Sequence, residues 1–223
     1  MNALLLAALV ATGIHPPAPV TIGHSVQGRP IELTRDGDPA ATRKVLVVGE
    51  VHGDERAGRG IVTALRRAAP PPRTELLLVR DLNPDGFANR TRDNAHGVDL
   101  NRNSPRGWAG AGPRPWSEPE ARALRRLVLR ERPALTIYYH QPFGLVDFPE
   151  RGSAREARAY ARLSGLPLRH LTLRPGSLSR WQNARVLRGS AFVVELPAGR
   201  LRRHERDVNV AAVLALLAQP LAR

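Results

Sequence analysis

Cysteine is absent from the 223 residues, so neither disulfides nor thiolate metal sites are available, and any metal must be held by His, Asp or Glu. Lysine is nearly absent too. Lys44 is the only one, arginine makes up the rest of the 34 basic residues, and against 20 acidic ones the formal net charge is +14. The arginines are scattered through the chain instead of gathered in one stripe. That distribution has the character of a compositional bias and lacks the clustered basic face that nucleic acid binding requires, so no nucleic acid partner is expected. An anionic cell wall remains a compatible neighbour. No apolar run approaches the ~20 residues of a membrane-spanning helix. The run Ala3 to Val10, followed by Ala11, Thr12 and Gly13, has the length and small-residue flank of an export signal, though it lacks the usual positive start. Export to the periplasm or beyond is the reading, with a disordered cytoplasmic tail as the alternative.

What remains suits one globular domain. Residues 1–19 form the signal-like stretch and a Pro-rich connector, and residues 20–223 form the domain. Val20 to Arg35 alternates around Gln27-Gly28-Arg29, the pattern of an edge hairpin. Val45 to Val51, Glu75 to Val79, Ala134 to Tyr139 and Ala191 to Leu196 are apolar runs of buried-strand length. Helical periods are expected over Glu55 to Ala69, Ser117 to about Arg132, Ala154 to Leu163 and Arg202 to Ala218. A short strand is expected near Arg169 to Leu173, then a polar loop from Arg174 to Arg188. Asn83-Pro84-Asp85-Gly86 reads as a tight turn, and Ser117 as the N-cap of the second helix. Ala88 to Trp116 is polar and glycine-rich without a period, and a loop of that length is usually functional. Strands alternating with helices predict an α/β fold, a single three-layer domain whose mixed, mostly parallel sheet is covered on both faces.

In such sheets ligands gather beyond the carboxyl ends of the strands. His52 and Glu55, Asn83 to Gly86, His140 and Glu195 each fall at such an end. His52, Glu55 and His140 supply two imidazoles and one carboxylate with an open fourth position, the ligand set of a catalytic zinc ion. Glu195 closes an apolar strand, where a carboxylate is costly to bury without a partner, and is the candidate general base. Taken singly these residues also have plainer readings: His140 as a core histidine, the others as loop polar groups. His24, His96, His170 and His204 have no partner identifiable in the sequence.

These residues and their neighbours form an ordered series. It runs through Gly49 to Glu55, Asn83-Pro84-Asp85-Gly86, Thr91-Arg92-Asp93-Asn94, Gly97 to Asn103, Tyr139-His140-Gln141-Pro142 and Val194-Glu195-Leu196-Pro197. Together they resemble the zinc carboxypeptidases of the carboxypeptidase A type, and most of all the bacterial murein tripeptide amidase branch. The resemblance implies one Zn2+ on His52, Glu55 and His140, with Glu195 as the base. It further implies that Arg92 stabilises the oxyanion, that Asn101 and Arg102 grip the terminal carboxylate of a peptide substrate, and that Asp99 orients His52. In that branch the bond cut joins γ-D-glutamate to meso-diaminopimelate in cell-wall peptides. The chain departs from the pattern at Glu50, where a small or apolar residue is expected, and at His170 to Pro175, where the tyrosine cap is missing. Ala184-Arg185 also stands where a histidine is expected. Trp181, Gln182 and Asn183 are candidates for the specificity pocket or for plain packing. The alternatives are an ordinary metallocarboxypeptidase, an N-acyl amino acid deacylase, and a metal-free module that binds peptide termini.

Overall fold

The computed structural model describes residues 18–147, 154–171, 175–185 and 190–218. The signal-like run at residues 3–13 lies outside them. Eight strands form one sheet: β1 (Val20–His24), β2 (Pro30–Gly37), β3 (Arg43–Val48), β4 (Thr74–Val79), β5 (Leu135–His140), β6 (Phe143–Asp147), β7 (Leu168–Arg169) and β8 (Ser190–Pro197). Their spatial order is β1-β2-β4-β3-β5-β8-β6-β7. The central four strands, β4-β3-β5-β8, are parallel, and β2 and β6 flank them antiparallel. The expected hairpin is β1 and β2, paired antiparallel.

The central strands are buried along their whole length because both faces are covered. Alternate side chains serve alternate layers. On one face Val45, Val47, Leu76, Leu78, Ile137 and Val194 pack under α1 (Ala57–Leu65), α4 (Ala154–Ser164) and α6 (Arg203–Ala218). On the other, Leu46, Val48, Leu77, Val79, Tyr138 and Val193 pack under α3 (Pro119–Glu131) and α5 (Leu178–Arg185). The three-layer mixed sheet of the sequence reading is thus the observed architecture.

Several local expectations need correction. Asn83 to Gly86 is not a free-standing turn but the start of a short helix, α2 (Pro84–Asn89), in which the Asn83 side chain accepts the Gly86 N–H at 2.9 Å. The N-cap of α3 is Glu118, not Ser117, because the Ser117 hydroxyl is engaged by Glu118 and Asn103. α1 starts at Ala57, since Glu55 turns away from the helix and Gln141 takes the Ala57 N–H at 2.9 Å. The loop expected from Arg174 to Arg188 contains α5, and its residues 186–189 lie outside those described. In α6 the inward face is Asn209, Ala212, Val213, Leu216 and Leu217, while Val208 is exposed. Asn209 takes an interior place because Tyr160 donates to its Oδ1 at 2.6 Å, continuing a buried chain from Tyr139, whose hydroxyl lies 2.8 Å from that of Tyr160.

That chain crosses from the sheet to α6 with no water-exposed member, so deleting one hydroxyl strands its neighbours. Tyr160→Phe is expected to lower unfolding stability by about 1–3 kcal/mol in a urea titration. A second connection ties α3 to the sheet: Glu131 is bonded by Arg35 at 2.9 and 3.1 Å and by Lys44 at 2.8 Å. Hydrogen bonds from Arg35, then Lys44, outweigh the effect of burial and hold its carboxyl down to about 2. The folded carboxyl titrates below the ~4.3 of an unfolded glutamate. Its contribution is therefore complete above that pH and is lost as the pH falls towards about 2. The stability gap between the parent and Glu131→Gln is expected to be about 1 kcal/mol at neutral pH and to close on acidification.

Candidate metal centre and active-site cavity

The carboxyl ends of the central strands open into a cavity of about 840 Å³. β3 delivers the loop carrying His52 and Glu55, and β5 ends on His140. The parallel register of β5 and β8 places His140 directly beside Glu195, so two residues more than fifty positions apart in the sequence face the same space. Gly53, between His52 and Glu55, has a different task from that expected of it: a Cβ there would overlap the backbone of Gly86 and Phe87. Its small size lets the loops after β3 and β4 press together.

His52, Glu55 and His140 are 1%, 7% and 3% exposed. Nδ1 of His52 lies 2.8 Å from Glu55 Oε1, and Nδ1 of His140 lies 2.8 Å from Glu55 Oε2. The two Nδ1 atoms are 3.1 Å apart, and one donor atom from each residue falls within 4.8 Å of the others. Two imidazoles and a carboxylate converging in a buried pocket, with no thiolate or further carboxylate among the three, fit a divalent ion of the zinc class. On its far side His52 Nε2 lies 3.0 Å from Asp99 Oδ1. This fixes the ring and keeps Nδ1 turned to the centre, as metal-bound histidines commonly require.

The electrostatics are steeply graded. Burial pushes the Glu55 carboxyl up, but hydrogen bonds from His140 and His52 outweigh it and hold the group far below the usual carboxylate range. Asp99 is likewise held low, with burial outweighed by His52 and then by Arg92 and Arg102. For His52 burial is outweighed by Asp99 and Glu55, which raise its pKa, whereas burial dominates at His140 and lowers it. Glu195 moves the opposite way from Glu55: burial, reinforced by the nearby Glu55 charge, pushes it up to about 7. Its Oε2 is buried without a hydrogen-bond partner among the described residues.

The remaining residues of the expected set border the same cavity. Arg92 places Nε and Nη2 at 3.2 and 3.1 Å from Asp99 Oδ2 and Nη1 at 3.0 Å from Glu55 Oε1, a forked grip suited to guanidinium. Asn101 and Arg102 sit on a 3-10 turn, Leu100–Arg102, which Asp99 caps by accepting the Asn101 N–H at 2.8 Å. Asn101 Oδ1 accepts the Leu178 N–H at 3.0 Å, and its Nδ2 lies 3.4 Å from His140 Nε2.

Other expectations are corrected. Trp181, Gln182 and Asn183 do not line the cavity. Trp181 stacks edge-on against Trp116 with centroids 4.8 Å apart, Gln182 accepts from Tyr138 at 2.8 Å, and Asn183 bonds the backbone of Ala191. Glu50 is fully buried and also does not border the cavity, and burial pushes its carboxyl well above the usual range. His96 does have a partner, Glu118 at 2.8 Å. Within His170 to Pro175, where the tyrosine cap is missing, residues 172–174 lie outside those described. Asn94 was missed as a support: it donates to Glu118 at 2.7 Å and Glu120 at 3.1 Å and accepts from Val98 N–H at 3.1 Å, bracing the loop between Arg92 and Asp99. Its place in the Thr91 to Asn94 run was the available signal.

If Asp99 holds His52 for the ion, Asp99→Asn is expected to weaken divalent metal binding by about 10- to 100-fold. Competition with a chromophoric chelator measures this directly, and an unchanged dissociation constant rejects the role.

Comparison with known proteins sets this geometry in a family. Residues 41–219 match the succinylglutamate desuccinylase/aspartoacylase catalytic domain. The chain is 32% identical over 190 residues to murein peptide amidase A of Escherichia coli K12, covering 76% of this chain and 78% of that protein. It is 30% identical over 203 residues to murein peptide amidase A of Vibrio campbellii, covering 80% and 79%. The crystal structure of the murein-tripeptide amidase of Escherichia coli O157 superposes with a TM-score of 0.76 at 27% identity, over 95% of this chain and 96% of that one. By fold, though only 17% identical, carboxypeptidase A from Helicoverpa armigera reaches the same TM-score over 92% of this chain and 68% of its own. The chain thus belongs to the metallocarboxypeptidase-like hydrolases that share the succinylglutamate desuccinylase/aspartoacylase catalytic domain, on the side of that family where the murein peptide amidases lie.

Proposed function

We propose that this protein is an exported, zinc-dependent amidase that removes the terminal residue of cell-wall peptides by cutting the bond between γ-D-glutamate and meso-diaminopimelate. The observation that carries the reading is one cavity holding both a His-Glu-His centre and a carboxylate raised to about 7 beside it. The substrate class is supported by the names of the relatives, murein peptide amidases of two genera and a murein-tripeptide amidase of the same fold. Export rests on the signal-like run at Ala3 to Val10.

His52, Glu55 and His140 would hold the zinc ion. Such an ion supplies Lewis-acid polarisation of the scissile carbonyl and acidifies water towards a pKa of ~7. The chain supplies the rest. Glu195, with its affinity for a proton set near neutrality, takes one from the attacking water and passes it to the leaving amine nitrogen. Arg92 directs a fixed positive charge into the cavity, where an oxyanion develops during the reaction. Asn101 and Arg102 hold the terminal carboxylate of the leaving residue, for which guanidinium offers two parallel hydrogen bonds. Asp99 keeps the His52 ring in place and spaces Arg92 from Glu55 through the shared contacts.

A second reading, hydrolysis of N-acyl amino acids, is favoured by the match to the succinylglutamate desuccinylase/aspartoacylase domain. Both readings use the same centre and differ in what occupies the acyl side. The deciding experiment incubates the metal-loaded protein with L-Ala-γ-D-Glu-meso-diaminopimelate and, separately, with N-acetyl and N-succinyl amino acids, and quantifies the released amine. Release of diaminopimelate is expected, and Glu195→Gln is expected to reduce kcat by about 10²- to 10⁴-fold, as loss of a general base does. Turnover of the N-acyl amino acids alone sinks the wall-peptide reading, and undiminished activity in Glu195→Gln removes Glu195 as the base.

A further inference from the structure

Asp147 is the one carboxylate on the cavity wall to which the reading above gives no task. It is 6% exposed, and its Oδ1 accepts the Leu171 N–H at 2.9 Å, which fixes the group against β6. β6 and β8 run antiparallel with Phe143 opposite Pro197 and Leu145 opposite Glu195. Continuing that register sets Asp147 opposite Val193, one two-residue step from Glu195, or about 7 Å along the sheet. Phe143, Leu145 and Asp147 alternate to the same face as Glu195 and Val193, and Asp147, Glu195 and Val193 all border the cavity. Glu195 and His140 stand at the strand ends, so the step to Asp147 leads away from the mouth into the depth of the cavity. Between the two lie Val193 and Leu171, which give that stretch of wall an apolar lining.

A leaving residue is held in this cavity at two points under the proposed mechanism, its nitrogen near Glu195 and its carboxylate at Asn101 and Arg102. Only its side chain is left to run along the apolar wall, and the group at the end of that wall is a carboxylate with little solvent. A buried carboxylate favours a cationic partner and disfavours an apolar or anionic one. We propose that Asp147 is a specificity-determining residue that receives a distal ammonium group, so the cavity selects leaving residues with an aliphatic stem and a terminal amine, of diaminopimelate or lysine type. The inference rests on the proposed hydrolytic reading for where the leaving residue sits, and it adds which side chains that residue carries.

The test uses the metal-loaded full chain with two pairs of peptides. One pair ends in lysine or in uncharged norleucine after a γ-D-glutamyl linkage, and the other ends in the same two residues after an ordinary α-linkage. The parent is expected to favour lysine over norleucine by about 10- to 100-fold in kcat/KM, most of it in KM, in whichever linkage it cleaves. Asp147→Asn, which retains an oxygen for the Leu171 N–H, is expected to bring that ratio close to one. A parent ratio near one, or a ratio that Asp147→Asn leaves intact, overturns the proposal. Cleavage of the α-linked pair alone, with the lysine preference present in the parent and lost in the variant, overturns the γ-D-glutamyl reading and keeps the role of Asp147. Should Asp147→Asn fail to fold, product inhibition of the parent decides: free lysine inhibiting more strongly than norleucine supports the proposal, and equal or weaker inhibition overturns it.

Discussion

The site is built around one buried carboxylate. Glu55 lies almost out of water, where an isolated anion would be prohibitively costly, and it is stable there because His52, His140 and Arg92 all reach it within 3.0 Å. Each of those partners is in turn held from behind. Asp99 takes the far nitrogen of His52 and two nitrogens of Arg92, Asn101 stands by the far nitrogen of His140, and Asp99 also caps the turn that carries Asn101. The result is a closed set of opposite charges and aimed donors in which moving one member disturbs the rest. The same field explains why two glutamates in one cavity behave in opposite ways. Glu55 is surrounded by donors and stays ionised, whereas Glu195 has an unpartnered oxygen and a negative neighbour, so it holds a proton near neutrality. Pairs of carboxyls driven apart in this manner divide naturally into ligand and base.

The backbone beneath this set is rigid for reasons unrelated to catalysis. β4, β3, β5 and β8 are buried on both faces, and their parallel pairing aligns their carboxyl ends on one edge. The loops leaving that edge are pressed together at Gly53 and Gly86, where no larger residue fits against the facing backbone. Asn94, Glu118 and Glu120 then fasten the long loop that brings Arg92 and Asp99 over the centre. Glu120 also accepts the Val26 N–H, which extends the brace to the outer hairpin. Much of the arginine excess has local work as well: Arg35 binds Glu75 and Glu131, Arg59 binds Asp81, and Arg29 binds Asp85.

Much of this was legible in the residues. Apolar runs bounded by glycine and proline mark the buried strands because a strand covered on both faces has no polar side to show. The ligand trio could be named because each residue closes such a run, and Arg92, Asp99, Asn101 and Arg102 because they stand in an ordered motif series. The misreadings share one cause. Asn83, Ser117, Val208 and Gln182 were judged by local preference, and in each case a distant partner decided: the Gly86 N–H and Arg92 carbonyl for Asn83, Asn103 for Ser117, Tyr160 bringing Asn209 inward in place of Val208, and Tyr138 and Thr136 for Gln182.

The sequence by itself determined the element types, the layered α/β class and the chemistry of the centre, because strand period, helix period and donor identity are properties of neighbouring residues. Only the tertiary structure decided which residues share a space. His140 meets Glu195 through the β5–β8 register, and Asp147 joins them through the antiparallel pairing of β6 with β8. Register is set by hydrogen bonds between segments far apart in the chain. A one-residue slip would turn every side chain of a strand to the opposite layer, so no local pattern could have placed Asp147 on the cavity wall or left Glu50 outside it.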